Sequence, residues 1–206
     1  HDTDFTIIGV PYDGEASARK GAAQAPERIR FWSKHLTPFS EDRTRLGSMR
    51  VCDLGDIGVQ DQKAEFDRIR DEIAALPNFP IVLGGDHSIA IGSVSGISRY
   101  FRERDEAFGL IWFDAHADIN TPDSSPSGNI HGMPLATLLG YGNEQLVGLG
   151  GFSPKLDPKY FAHVGARDLD DGEKAQIHAL GLKERFFTMS DIDKRGMLAC
   201  VNDAID

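Results

Sequence analysis

The chain has little cysteine, no excess of basic residues and no long apolar run. Cys52 and Cys200 are the only two cysteines in 206 residues, which argues against a disulfide framework and favours a reducing compartment. The formal net charge of −10 disfavours nucleic-acid binding, because a phosphate-binding surface needs clustered Lys and Arg. No stretch approaches the ~20 apolar residues of a membrane span. We therefore expect a cytoplasmic globular protein that binds neither nucleic acid nor membrane.

Short apolar runs alternate with helical patterns along the whole chain. Strands are predicted at residues 5–10, 49–54, 79–85, 109–115, 161–166 and 185–189, with Cys52 as a buried strand residue. Helices are predicted between them at residues 25–36, 61–76, 88–106, 133–142 and 171–181. Several strands are apolar on both faces, which is typical of parallel strands covered by helices. The alternation predicts an α/β fold with a parallel sheet in a single domain, residues 1–206.

The stretch "WFDAHADINTPDSSPSGNIHG" (112–132) concentrates carboxylates and imidazoles after an apolar run. Asp114, His116 and Asp118 alternate, so an extended backbone would place them on one face. Such a group stays poorly solvated unless a divalent metal lies between its members. A second strand end, "VLGGDHS" (82–88), delivers His87, and its two glycines allow a tight turn and a close backbone approach. Mixed oxygen and nitrogen ligands suit manganese. Two metals sharing a carboxylate would hold a hydroxide that can attack an electrophilic carbon.

The motifs "GGDHS", "DAHADIN" and "SGNIHG", in this order, resemble the ureohydrolase superfamily of arginases and agmatinases. The resemblance implies a three-layer αβα fold with a central parallel sheet. It implies that His87, Asp114 and Asp118 hold one manganese, and that Asp114 and His116 hold a second, with Asp114 bridging. It also implies that the catalytic residues are His131 and Asp118. His131 resembles the family's proton-shuttling histidine, a role that imidazole suits because its unperturbed pKa lies near ~6.5.

Two further stretches bear on the substrate. Asn120, Ser127 and Asn129 match positions at which the arginase branch holds the α-carboxylate of its substrate. Asp170 and Glu173, in "RDLDDGE" (167–173), resemble the acids that face the α-amino group. The resemblance thus implies hydrolysis of L-arginine to L-ornithine and urea by a metal-bridging hydroxide, with two manganese ions in a complete active site. Short polar residues are also ordinary turn formers, and Asp170 would also suit a helix N-cap.

Other interpretations stay open. The stretch "DGEASARKGAAQAP" (13–26) differs from the sequence that is usual in arginases at this point. Agmatine and other guanidino compounds therefore stay open as alternative substrates. Family members continue further, through strands that carry an S-x-D-x-D motif, so we expect this chain to lack those C-terminal strands. A third interpretation is therefore that the chain is a catalytically inactive fragment or an assembly protein. Asp191 and Asp193 are predicted to serve the start of a helix rather than to bind metal. The resemblance also implies a homotrimer or homohexamer.

Overall fold

The fold is seen in a computed structural model that describes residues 3–16, 19–58 and 62–206. The chain divides into two compact units, His1–Ile97 and Ser98–Asp206. Each unit is built on a three-stranded sheet in which all strand pairings are parallel. The parallel pairings confirm the α/β prediction. The organisation of the chain as a single domain stays a prediction.

The strands carry the labels β1 to β6 in chain order. They are β1 Phe5–Val10, β2 Val51–Asp56, β3 Phe79–Gly84, β4 Leu110–Phe113, β5 Phe161–Ala166 and β6 Phe186–Thr188. The first unit has the strand order β2-β1-β3, and the second has β4-β5-β6. In each sheet the register of one pairing shifts near the carboxyl end of the central strand, between Ile7 and Gly9 in β1 and between Val164 and Ala166 in β5. Parallel neighbours need long crossover connections, and helices lie in most of these connections.

The described helices agree in part with the sequence pattern. They are α1 Ala25–Ser33, α2 Gln62–Ala74, α3 Ile89–Arg102, α4 Pro134–Leu139, α5 Glu144–Val147, α6 Asp171–Ala179, α7 Met189–Arg195 and α8 Met197–Ile205. The boundary between the two units falls within α3. Helix α4 is shorter than predicted because Gly140 follows it with a φ of 96°, a left-handed conformation that ends helices. The sequence pattern did not predict α5 or α8. None of the helices in the described ranges is both long and apolar enough to cross a bilayer.

The strands differ in how deeply they are buried. All six residues of β5 are buried, as expected for a central strand that is paired on both sides. The edge strand β2 is mostly exposed. Cys52 therefore lies on a strand, as predicted, but it is only partly buried, so the prediction that it is a buried residue is wrong. Cys200, on α8, is the buried cysteine.

Candidate active site

In the first unit, His87 lies in the turn between β3 and α3. The buried residue before it, Asp86, anchors this turn: its Oδ2 accepts a hydrogen bond from the Glu15 amide at 2.9 Å. The Asp86 amide donates to the Tyr12 carbonyl at 2.8 Å. A Cβ on Gly85 would lie 1.6 Å from that same carbonyl oxygen, so the turn has no room for a side chain there. The close backbone approach predicted from the paired glycines is therefore confirmed.

In the second unit, Asp114, His116 and Asp118 follow β4. Asp118 is buried, Asp114 is partly buried, and the His116 side chain is 56% exposed. Asp114 Oδ1 accepts from the His116 amide at 3.0 Å and lies 3.5 Å from His116 Nδ1. On the other side of the ring, His116 Nε2 lies 3.5 Å from Asp168 Oδ2. The sequence pattern did not single out Asp168, although it stands just after the carboxyl end of β5.

The segment 114–118 is not the extended strand on which the alternation argument depends. Strand β4 ends at Phe113, and Asp118 has a φ of 52°, in the left-handed region. Side chains along such a path do not simply alternate between two faces. The condition of an extended backbone is therefore not met. The orientations of Asp114, His116 and Asp118 depend on what holds this irregular backbone.

Contacts from β5 and its following loop hold the first part of that backbone. The Ala115 carbonyl accepts from the amides of Arg167 and Asp168, at 2.9 and 3.0 Å. The His116 carbonyl accepts from His163 Nε2 at 2.7 Å, and because a carbonyl only accepts, that nitrogen carries the hydrogen. The His163 ring is fully buried and stacks on Phe186, with 4.6 Å between the ring centroids. No sequence motif surrounds His163, so its contact with the 114–118 segment was missed.

Glu173 holds the second part of the segment. It is buried, and its Oε1 accepts from the amides of Ala117 and Asp118, at 3.1 and 2.9 Å. Its Oε2 accepts from the Asp170 amide at 3.1 Å, and Asp170 Oδ1 accepts from the Glu173 amide at 2.8 Å. This reciprocal pair is a capping box, which confirms the N-cap interpretation of Asp170. Burial raises the pKa of the Glu173 carboxyl, although the bond from the Asp170 amide opposes the shift.

The predicted substrate residues fall into two groups. Asn120 is buried and is joined to Asp170 through its Nδ2, which donates to Asp170 Oδ2 at 2.7 Å. Its Oδ1 accepts from Ser124 Oγ at 2.8 Å. Ser127 and Asn129 lie further along the loop, where the Asn129 amide donates to Ser127 Oγ at 3.3 Å. The structure thus brings Asn120 and Asp170 together, while Ser127 stays exposed. The bond to Ser127 Oγ is also what a turn-forming serine makes.

The partly buried His131 sits in a short 3₁₀ turn, Ile130–Gly132. Backbone hydrogen bonds tie this region to the end of the 114–118 segment. The Asn120 amide donates to the Gly132 carbonyl at 3.2 Å, and the Leu135 amide donates to the Asp118 carbonyl at 2.9 Å. The turn that carries His131 therefore lies alongside residues 118–120.

Asp191 and Asp193 belong to α7. Asp191 Oδ2 accepts from the Thr188 amide at 2.8 Å and from Thr188 Oγ1 at 2.6 Å. The bond from the Thr188 hydroxyl, followed by that from its amide, lowers the pKa of Asp191. This is a second capping box, and it confirms that Asp191 serves the start of a helix. Asp193 lies within the same helix.

The donor types suit a divalent metal ion. Asp114 and Asp118, in the second unit, offer two carboxylates of the kind that divalent ions bind. His87, in the first unit, offers an imidazole, another type of ligand that such ions bind. Asp118 is a buried carboxylate, and a buried negative charge calls for a compensating cation or donors. Within the second unit, His116 lies close enough to Asp114 to add a second imidazole.

Comparisons with known proteins agree with one another. Residues 3–206 match the family model described as "Arginase family". The chain is 40% identical over 224 residues to an arginase of Bacillus subtilis (strain 168), covering 100% of this chain and 71% of that protein. A crystal structure of arginase from Bacillus subtilis matches with a TM-score of 0.86 at 38% identity, over 99% of this chain and 70% of that one. A crystal structure of Entamoeba histolytica arginase in complex with L-ornithine matches with a TM-score of 0.78 at 28% identity, over 97% and 70%. The predicted arginase-like αβα fold is thereby confirmed.

Proposed function

Because the chain belongs to the arginase family and is a ureohydrolase-type enzyme, we propose that it hydrolyses the guanidinium group of L-arginine to L-ornithine and urea. The observation that carries the proposal is the 114–118 segment, where hydrogen bonds hold the backbone that carries two carboxylates and an imidazole. The Entamoeba histolytica arginase was solved with L-ornithine, which supports the same product here.

The proposed cofactor is manganese, two ions in a complete active site. His87, Asp114 and Asp118 would hold one ion, while Asp114 and His116 would contribute to the second. Bound divalent metals supply a water-derived nucleophile at neutral pH and polarise the group under attack. The chain contributes the ligands and their orientation. The 3.5 Å separation of Asp114 Oδ1 and His116 Nδ1 supports this pairing of the two residues.

His131 is the proposed proton donor to the leaving amine. The departing ornithine nitrogen must gain a proton, and an imidazole can transfer one near neutral pH. The 3₁₀ turn places His131 beside the backbone of residues 118–120, and its side chain is partly open to solvent. It can therefore both meet a substrate and exchange protons with water. Asp118 completes the proposed catalytic pair as a metal ligand.

The proposed substrate contacts lie on the loop after Asp118 and at the start of α6. Ser127 and Asn129 would receive the α-carboxylate, with Asn120 orienting the base of the loop through its bond to Asp170. Asp170 would face the α-amino group. Glu173, the fifth residue assigned by resemblance, would face the α-amino group beside Asp170, and its carboxylate also accepts from backbone amides.

Urea release from the manganese-loaded protein tests this proposal. We expect L-arginine to be favoured over agmatine by about tenfold or more, because agmatine has no α-carboxylate to pair with the groups proposed to receive it. Equal or faster turnover of agmatine would contradict the roles of Ser127 and Asn129. If the protein binds manganese but turns over neither compound, the interpretation as an inactive fragment or an assembly protein would be favoured.

His131→Asn tests the proton donor. We expect it to lower kcat by about 100-fold or more while manganese content stays the same. His178→Asn, an exposed histidine on α6, is the matched control and should change neither quantity. Loss of manganese from the His131 variant would contradict the shuttle role, since it would place His131 among the ligands.

We further propose a cytoplasmic homotrimer or homohexamer whose partner is the small-molecule substrate. The family resemblance supports the oligomer, and the two cysteines and the net charge of −10 support the compartment and the lack of nucleic-acid binding. Light scattering coupled to gel filtration measures the mass of the particle. A monomer at micromolar concentration would contradict the oligomer.

A further inference from the structure

We propose that Glu173 is a positioning residue that fixes the backbone of Asp118. The inference rests on the proposed function, because it matters for chemistry only if Asp118 holds a metal. It concerns residues of the second unit alone. This role is separate from the one that the family resemblance implies for Glu173.

The first argument is the occupancy of the carboxylate. Oε1 accepts from two consecutive amides, Ala117 at 3.1 Å and Asp118 at 2.9 Å, and Oε2 accepts from the Asp170 amide at 3.1 Å. Glu173 is only 5% exposed. A buried carboxylate that accepts three backbone hydrogen bonds is suited to hold a loop in place. Breaking those bonds would leave buried amides without acceptors.

The second argument is the conformation of Asp118. Its φ of 52° is uncommon for a residue with a Cβ and is strained relative to extended backbone. Such conformations persist where the surroundings hold them firmly. Here Glu173 binds the amide of Asp118, and the Leu135 amide binds its carbonyl at 2.9 Å. The peptide groups on both sides are therefore fixed, and with them the direction of the Cα–Cβ bond of Asp118.

The third argument is the connection to the substrate loop. Glu173 closes the capping box of α6 with Asp170, and Asp170 in turn accepts from Asn120 Nδ2 at 2.7 Å. A Cβ on Gly172 would lie 2.6 Å from Asn120 Oδ1, which shows how closely the start of α6 approaches this loop. One carboxylate thus links the start of a helix, a metal-ligand candidate and the base of the substrate loop.

The manganese dissociation constant, measured by titration calorimetry with MnCl₂, tests the role of Glu173. We expect Glu173→Ala to weaken binding about 10- to 100-fold, as is typical for residues that orient metal ligands. Glu173→Gln should recover most of the affinity, because its amide oxygen can still accept from Ala117 and Asp118. Asp191→Ala is the matched control: it removes the acid at the same position of the other capping box, on α7, and should leave the affinity unchanged.

Hydrogen exchange of the metal-free chain provides a readout that needs no bound ion. The amides of Ala117 and Asp118 should exchange faster in Glu173→Ala than in the wild type or in Asp191→Ala. Glu173→Asp, one methylene shorter, serves if the alanine variant does not fold, and should shift both readouts in the same direction.

The outcomes separate the two proposals. A wild-type chain that takes up no manganese would refute the proposed metal site, and the exchange rates would still decide the positioning role. Wild-type manganese affinity in Glu173→Ala, or failure of Glu173→Gln to recover a lost affinity, would overturn the inference while leaving the metal site intact.

Discussion

The turn that carries His87 and the segment that carries Asp118 both follow a parallel strand, yet different forces shape them. In the first unit, Gly85 lets the backbone pass so close to Tyr12 that a Cβ would lie 1.6 Å from its carbonyl oxygen. The 114–118 segment contains no glycine, and Glu173, more than fifty residues later, holds it with hydrogen bonds. A strand end can thus present a ligand through steric fit or through a buried polar clamp.

The strongest way to break this comparison is Gly85→Ala. We expect it to lower the free energy of unfolding by about 3 kcal/mol, because the new Cβ would overlap rigid backbone rather than a flexible side chain. Gly47→Ala is the control in the same unit, since its Cβ would meet only the Arg45 side chain. Urea denaturation followed by circular dichroism measures both. Equal stability of the two variants would show that the backbone at Gly85 can shift to accommodate a Cβ. Steric fit would then not determine the conformation of this turn.

A second substitution, His163→Phe, tests the hydrogen bonds that hold the 114–118 segment in the second unit. We expect a loss of about 2 kcal/mol, because phenylalanine keeps the stacking on Phe186 but removes the donor to the His116 carbonyl. The control is His178→Phe, at an exposed position on α6. Urea denaturation monitored by tryptophan fluorescence compares the two variants. Unchanged stability of His163→Phe would mean that the donor contributes nothing measurable.

The smallest expected change in stability is that of Asp191→Asn, which removes an ordinary helix-capping carboxylate. Hydrogen bonds from Thr188 lower the pKa of Asp191 below its usual value of 3.8, so the ionised form is favoured in the folded state. This contribution is present at pH values above 3.8 and is lost as the pH falls through the lowered pKa. Asp191→Asn should cost about 0.5 kcal/mol at pH 7, and its difference from the wild type should shrink towards pH 3. Melting temperatures across that range provide the check. A difference that grows as the pH falls would contradict the assignment.

Local chemistry made part of this molecule predictable from its sequence. The paired glycines before Asp86 predicted a close backbone approach, and the acids around Asp170 predicted a helix cap. Both features depend on neighbours in the sequence or on the lack of a side chain. The alternation of apolar runs and helical patterns likewise predicted parallel strands, because period and length are local properties too.

Features that depend on distant contacts could not be predicted. The left-handed Asp118 donates its amide hydrogen to Glu173, and the His116 carbonyl accepts from His163. Nothing in the local pattern distinguishes His163 from an ordinary buried histidine. Its role follows only once β4 and β5 are paired and the ring meets a carbonyl of the neighbouring segment. The partial exposure of Cys52 similarly depends on β2 being an edge strand, which is a property of the sheet order.

Manganese binding by the purified chain tests the central claim most directly. Mn²⁺ is titrated into the metal-free protein, and the free ion is quantified by electron paramagnetic resonance, with Asp114→Ala in parallel. The account predicts saturable binding by the wild type and its loss in the variant, since Asp114 is the proposed bridge between the two sites. Absence of saturable binding by the wild type, or equal binding by Asp114→Ala, would contradict it.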